Sequence, residues 1–143
     1  MNRKLDLDLA EARAGVEAMR SELIRRSLAA VVAVADSRGD LICLERLDNA
    51  PLPSIVVAAN KAWTAAREKR TTKEIGAAIQ SPDGGFDVAY WGDPKMVGWA
   101  GGVPVFHDGV VVGGVAVSGL DLDSDDEMAR IGLAAIQAIL ANR

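Results

Sequence analysis

Lys61 stands in an alanine-rich stretch, Ala58 to Ala66, with Trp63 and Thr64 beside it. A lysine partly desolvated there can bind a carboxylate, meet a neighbouring subunit, or act with a depressed pKa as a base or Schiff-base nucleophile. The plainer alternative is a stem that packs along apolar surface and delivers its ammonium to solvent. Arg46 and Asp48 follow an apolar run at a spacing of two. The guanidinium can fork to a carboxylate ligand, or pair with Asp48 and order the loop. Gly101 and Gly102, just before Val103 and Pro104, can present backbone N–H groups to an anion, an oxygen atom or a ring face. A structural turn serves equally well, and this is no phosphate loop, because no Gly-x-x-x-x-Gly-Lys pattern and no helix follow.

His107 is the only histidine. It is a candidate base or metal ligand, but beside Asp108-Gly109 it reads more simply as a turn residue. Asp121, Asp123, Asp125 and Asp126 cluster without the spacing of a calcium loop, so they read as helix capping and solubility. Ser118 lies in Val-Ser-Gly, which is not a nucleophile elbow, and its hydroxyl is taken as a turn or ligand hydrogen bond. Trp91 and Trp99 fall in an irregular stretch. They can line a pocket, cover a subunit interface or fill a core.

The elements that must position these groups follow from periodicity. Asp8 caps an amphipathic helix in which Leu9, Ala12, Val16, Met19, Leu23 and Ile24 recur at helical spacing. Leu28 to Ala35 is a buried strand, residues 36–40 a turn, and Leu41 to Leu47 a second strand, giving a hairpin. Ser54 caps a helix to about Glu68, and its alanines permit close packing. Thr71 or Thr72 caps a short helix, Lys73 to Ile79. From Gln80 to Ala100 the pattern is lost among glycines, prolines and aromatics, as in a functional or interfacial loop. Val103 to Phe106 and Val110 to Val117 form another hairpin, with Gly113-Gly114 allowing a bulge or a close approach. Acidic residues 121–126 lead into a last helix. Strands joined by hairpins, with helices between, imply an α+β layer domain over residues 1–143.

Length and composition bound the function. A chain of 143 residues with a hydrophobic half and 25% charge is one ordinary globular domain. The single Cys43 has no partner for a disulfide and reads as a buried thiol in a reducing compartment. A net charge of −4, without an aromatic-laced basic cluster, argues against nucleic acid as a partner. Leu5, Leu7 and Leu9 alternate with aspartates, unlike a signal peptide. Charge interrupts every apolar stretch before about 18 residues, so no membrane span is expected. A cytoplasmic location is the expectation.

The chain resembles the GlcG/HbpS-like family, also called haem-degrading or PduO C-terminal-type domains. The resemblance rests on an ordered set: Ala33-Val34-Ala35-Asp36 with Gly39 and Leu41; Arg46-Leu47-Asp48-Asn49-Ala50; Lys61-Ala62-Trp63-Thr64-Ala65; Gly101-Gly102-Val103-Pro104; Asp108-Gly109; Val112-Gly113 through Val117-Ser118-Gly119; and Asp126 with Ala129. It implies a profilin-like α+β fold with an antiparallel sheet of about five strands. It also implies homo-oligomers, from dimers to octamers, and links to haem binding and iron release, to cobalamin-related proteins, and to operons for small organic acids or aromatic compounds. Haem in such proteins can use histidine ligands, one of them on the first helix. Residues 11–27 contain no histidine, leaving His107, Met96, Tyr90 or Cys43 as conceivable single axial ligands.

The expected pocket joins Lys61, the Gly101–Pro104 loop, Ser118 and the loop tryptophans, across a subunit boundary if one is present. Its expected ligand is a small organic acid or aromatic metabolite, or a tetrapyrrole. The enzymatic alternative is a cofactor-independent isomerase, lyase or hydrolase, in which Arg46 binds a carboxylate and Lys61 or Asp126 moves the proton. A third reading is an accessory subunit that contacts a partner enzyme through residues 80–100.

Overall fold

The computed structural model describes Met1 and residues 4–143. Helix α1 (Leu9–Arg25) begins with a capping box. The Asp8 carboxylate accepts from the Glu11 N–H, and the Glu11 carboxylate accepts from the Asp8 N–H. Strands β1 (Val31–Asp36) and β2 (Leu41–Arg46) form the first hairpin, and β3 (Gly102–His107) and β4 (Val110–Ser118) the second. Between them lie α2 (Ser54–Glu68) and α3 (Thr72–Ile79), and α4 (Leu122–Leu140) ends the chain. The two hairpins join through β1 and β4 into one antiparallel sheet of order β2-β1-β4-β3. Among the described residues the sheet therefore has four strands rather than about five, and β2 and β3 are its edges.

Strand periodicity divides the core. Val32, Val34, Val103, Val105, Val115 and Val117 face α1 and α4, where Val16, Met19, Leu23, Met128 and Ile136 complete the larger cluster. Val31, Ala33, Ala35 and Ala116 face α2 through Ala58 and Ala62. The second face is small on both sides, so α2 lies unusually close. A β-carbon added to Gly114 would sit 2.4 Å from the Ala62 carbonyl oxygen, and one on Gly102 would sit 2.6 Å from that of Lys61. The alanines and glycines of the sequence are the means by which one helix is laid almost onto the strands.

Several local expectations change. Leu28–Ala30 and Leu47 lie outside the strands. Pro53 occupies the α2 cap position without a side-chain cap bond, and Ser54 is the first helical residue, buried. Thr71, not Thr72, caps α3, again with a capping box to Glu74. Cys43 is half-buried, because it sits on an edge strand. The irregular stretch 80–101 holds only a 3-10 turn, Val88–Trp91. No helix among the described residues is long and apolar enough to cross a membrane.

Candidate functional site

The tight seat of α2 carries Lys61 into the interior. Its ammonium donates to the Val117 carbonyl at 3.0 Å and to Asp125 Oδ2 at 3.1 Å. The other carboxylate oxygen of Asp125 accepts from the Leu120 N–H at 3.0 Å. The two side chains are 1% and 2% exposed. Burial pulls the Lys61 pKa below its ordinary value, against the pull of the Asp125 charge. Burial likewise pushes Asp125 up, against Lys61 and the Leu120 N–H. The pair joins α2, the end of β4, the turn after it and the first turn of α4.

Gly101 and Gly102 belong to the same cluster. Gly101 has φ 124°, and its carbonyl accepts from the Val117 N–H at 2.9 Å. A β-carbon there would stand 2.8 Å from the Lys61 nitrogen and 2.9 Å from Asp125 Cβ. The Thr72 hydroxyl accepts from the Gly102 N–H at 2.9 Å. The glycine pair thus meets protein groups on both sides, and its N–H and C=O groups serve the fold. Val103 and Pro104 continue as buried residues of β3, opposite Val115 and Gly114.

The remaining candidates disperse. Asp126 is one residue beyond the aspartate that meets Lys61, and though itself buried it pairs at 2.9 Å with the half-exposed Arg130 one turn along α4. Ser118, Val31 and Arg46 form one cross-strand row, which puts Arg46 about 10 Å from Ser118. Ser118 is buried there and Arg46 is exposed. Arg46 borders a separate groove of about 470 Å³ with Arg20, Ile24, Leu28 and Glu45. In that groove Arg20 is bound to Glu45 by two hydrogen bonds. His107 is at the far end of β3, 3.6 Å from the exposed Asp108 carboxylate. No group of three or more His, Cys, Asp or Glu among the described residues could hold a metal ion.

The loop aromatics make a different place. Trp91 stacks on Phe86 with ring centroids 5.2 Å apart, and the Arg70 guanidinium lies 5.9 Å from the Trp91 ring. Trp99 is 59% exposed and borders a groove of about 340 Å³ with Ile79, Val88, Met96 and Val97. The groove is closed from behind by contact of α3 with the loop: a β-carbon on Gly76 would stand 2.0 Å from the Gly98 carbonyl oxygen. Thr64 holds this loop to α2, accepting from the Val97 N–H at 3.1 Å and donating to the Lys95 carbonyl at 3.2 Å.

Reading the sequence named Asp125 as a capping acid, Thr64 as a neighbour of Lys61 and Thr72 as a helix cap, and gave none of them a role in the site. Thr64 had a usable signal. It lies three residues after Lys61 on the same helix, a polar side chain amid alanines.

Residues 7–134 match the family model described as haem-degrading protein HbpS-like. Protein GlcG of Escherichia coli K12 is 32% identical over 118 residues, covering 82% of this chain and 85% of GlcG. The crystal structure of Klebsiella pneumoniae protein ORFY superposes with a TM-score of 0.89 at 28% identity, over 96% of this chain and 95% of that one. A crystal structure of a PduOC:haem complex superposes with a TM-score of 0.84 at 26% identity, over 92% of this chain and 95% of that one.

Proposed function

This chain belongs to the HbpS-like family, and from that premise we propose that it is a homo-oligomeric ligand-binding protein whose ligand presents a flat apolar face. The ligand is a small organic acid or aromatic metabolite, or a tetrapyrrole, and the groove beside Trp99 receives it. The observation that carries this reading is the open indole of Trp99 on a groove walled by Ile79, Val88, Met96 and Val97. An aromatic face left in water beside apolar walls gains most by stacking on a ligand. The likeness to a PduOC:haem complex supports a tetrapyrrole among the ligands.

The donor set does not fit haem held by histidine. Helix α1 carries none, and His107 is at the other end of β3 from Gly102. The groove offers no histidine, and its donor side chains are the Met96 thioether, which is 8% exposed, and the Gln80 amide. A tetrapyrrole would be gripped by its face, with the iron contributing little.

In this reading Lys61 is a positioning residue. With Asp125 it ties α2 and α4 to the ends of β3 and β4, and Thr64, on the same helix, fixes the groove loop. The enzymatic alternative has less support. Lys61 is sealed from solvent and lines none of the grooves described above, while Asp126 is engaged by Arg130. Oligomerisation is supported by Leu52 and Val56, which are exposed near the start of α2.

Titration with haemin and with metal-free protoporphyrin IX, followed in the Soret band and by porphyrin fluorescence, tests the reading. Both are expected to bind saturably with similar affinity, and Trp99→Ala is expected to weaken both about tenfold or more. Binding of haemin alone would put iron ligation in place of face recognition. Saturable binding of neither would remove the tetrapyrrole.

A further inference from the structure

The opposite end of the sheet from Lys61 holds a third cleft, of about 470 Å³. The β1–β2 turn, the β3–β4 turn, the C-terminus of α2 and the segment before α1 converge on it. Its polar lining is Lys4, Lys69 and Ser37, and its apolar lining includes Leu5, Phe106 and Val110. The chain as a whole is acidic, at −4, yet the described residues that line this cleft include two lysines and no Asp or Glu. The ion-paired lysines among the described residues are Lys61 and Lys73, and Lys4 and Lys69 make no ion pair with the described carboxylates. Asp6, beside the cleft, gives one carboxylate oxygen to the Ser37 N–H at 2.8 Å.

Two features indicate that the wall is built for something the protein does not itself supply. Lys69 closes α2 in the left-handed conformation, at φ 58° and ψ 31°. Glycine adopts this conformation at helix ends without penalty, whereas a β-carbon is strained in it. The fold accepts that strain and thereby keeps an ammonium at the cleft. The Ser37 hydroxyl oxygen is buried in the same wall without a hydrogen-bond partner in the protein. A change of rotamer, which serine makes readily, turns it toward a bound oxygen. Phe106, 43% exposed, and Val110 supply a flat apolar floor beside the two charges.

We propose that this cleft binds an aryl carboxylate, with its carboxylate between the Lys4 and Lys69 ammonium groups and its ring against Phe106 and Val110. Charge alone would accept any anion. The apolar floor selects one with a ring. The site is separate from the groove beside Trp99 and does not depend on a ligand there.

The test is an amide NMR titration of the intact protein with benzoate, benzyl alcohol and inorganic phosphate, repeated on Lys69→Gly, Lys4→Ala and Trp99→Ala. Benzoate is expected to give saturable shifts centred on Ser37, Lys69 and Gly109, while the alcohol and phosphate give none at the same concentrations. Lys69→Gly is expected to melt at a higher temperature, because glycine relieves the strained cap, and to bind benzoate about tenfold or more weakly. Lys4→Ala is expected to weaken binding as well, and Trp99→Ala to leave the benzoate titration curve at Ser37, Lys69 and Gly109 as in the wild type. Absence of saturable shifts, equal binding of phosphate, or unchanged affinity in Lys69→Gly would overturn the proposal. Shifts centred on Trp99 with none at Ser37, Lys69 and Gly109 would do the same, while leaving the reading of the Trp99 groove in place.

Discussion

The Lys61 ammonium and the Asp125 carboxylate meet at 3.1 Å with almost no exposure to solvent. Each is satisfied by one further backbone group, the Val117 carbonyl and the Leu120 N–H. Four segments of the chain are tied at this point. The pair costs desolvation and returns a fixed geometry, so removing one member strands a buried charge, whereas removing both leaves a void that apolar groups can fill.

Lys61→Met and Asp125→Asn, made singly, are each expected to destabilise the protein by about 3–5 kcal/mol in urea unfolding. The double variant Lys61→Met, Asp125→Leu is expected to recover most of that loss. Asp126→Asn, one residue along, is expected to cost only about 0.5 kcal/mol, because its partner Arg130 is half exposed on the helix surface. Equal costs at 125 and 126 would contradict the assignment of the buried partner.

The pH dependence of stability carries the same signature. Asp125 has a raised pKa in the folded protein, so between its usual 3.8 and that higher value the native state holds the extra proton. Stability from this group falls as pH rises through that window. Lys61 has a lowered pKa, so between that value and its usual 10.5 the unfolded state holds the extra proton, and stability rises with pH there. Unfolding free energies of wild type minus the double variant, measured across pH, are expected to fall in the acid window and climb in the alkaline one. A flat difference would show that burial does not dominate the pair.

Gly114 tests how closely α2 must lie. Its missing β-carbon would clash with the Ala62 carbonyl at 2.4 Å and stand 3.2 Å from the Ala66 nitrogen. These are backbone atoms of a helix and cannot yield alone. Gly114→Ala is therefore expected to lose roughly 3 kcal/mol, read from the melting temperature by calorimetry. Gly84→Ala, where nothing lies within 4 Å but φ is 125°, is expected to cost less.

Thr64 tests the link from α2 to the groove. Thr64→Val keeps the shape and removes both hydrogen bonds to the loop, leaving the Val97 N–H without its acceptor. A loss of about 1–3 kcal/mol is expected. Amide hydrogen exchange at Val97 is expected to speed up, while exchange within β1 stays as in the wild type. Weaker porphyrin binding with unchanged exchange at Val97 would separate Thr64 from the loop's positioning.

Much of the fold was legible in the sequence because its signals are local. Asp8 with Glu11 and Thr71 with Glu74 are capping boxes four residues long, and they form as their spacing requires. The hairpin turns follow from Gly39 and Asp108-Gly109, where positive φ is needed. The alternation of valines with alanines in β1 already separates a bulky face from a thin one, and the alanines of α2 match the thin face. The family, too, could be read from an ordered set of short motifs.

Only the tertiary structure decided which aspartate meets Lys61. Successive residues on a helix point about 100° apart, so the choice of 125 over 126 depends on how α4 is rotated over the sheet. The same holds for Trp91 and Trp99, which stand in a stretch without periodicity and are placed by Phe86 within it and by Arg70 and Thr64 from elsewhere in the chain. Composition and spacing determine which faces are apolar and where the chain turns. How far Lys61 is buried, and which loop residues remain open to a ligand, is set by the packing of distant segments, and that information lies in no single stretch of sequence.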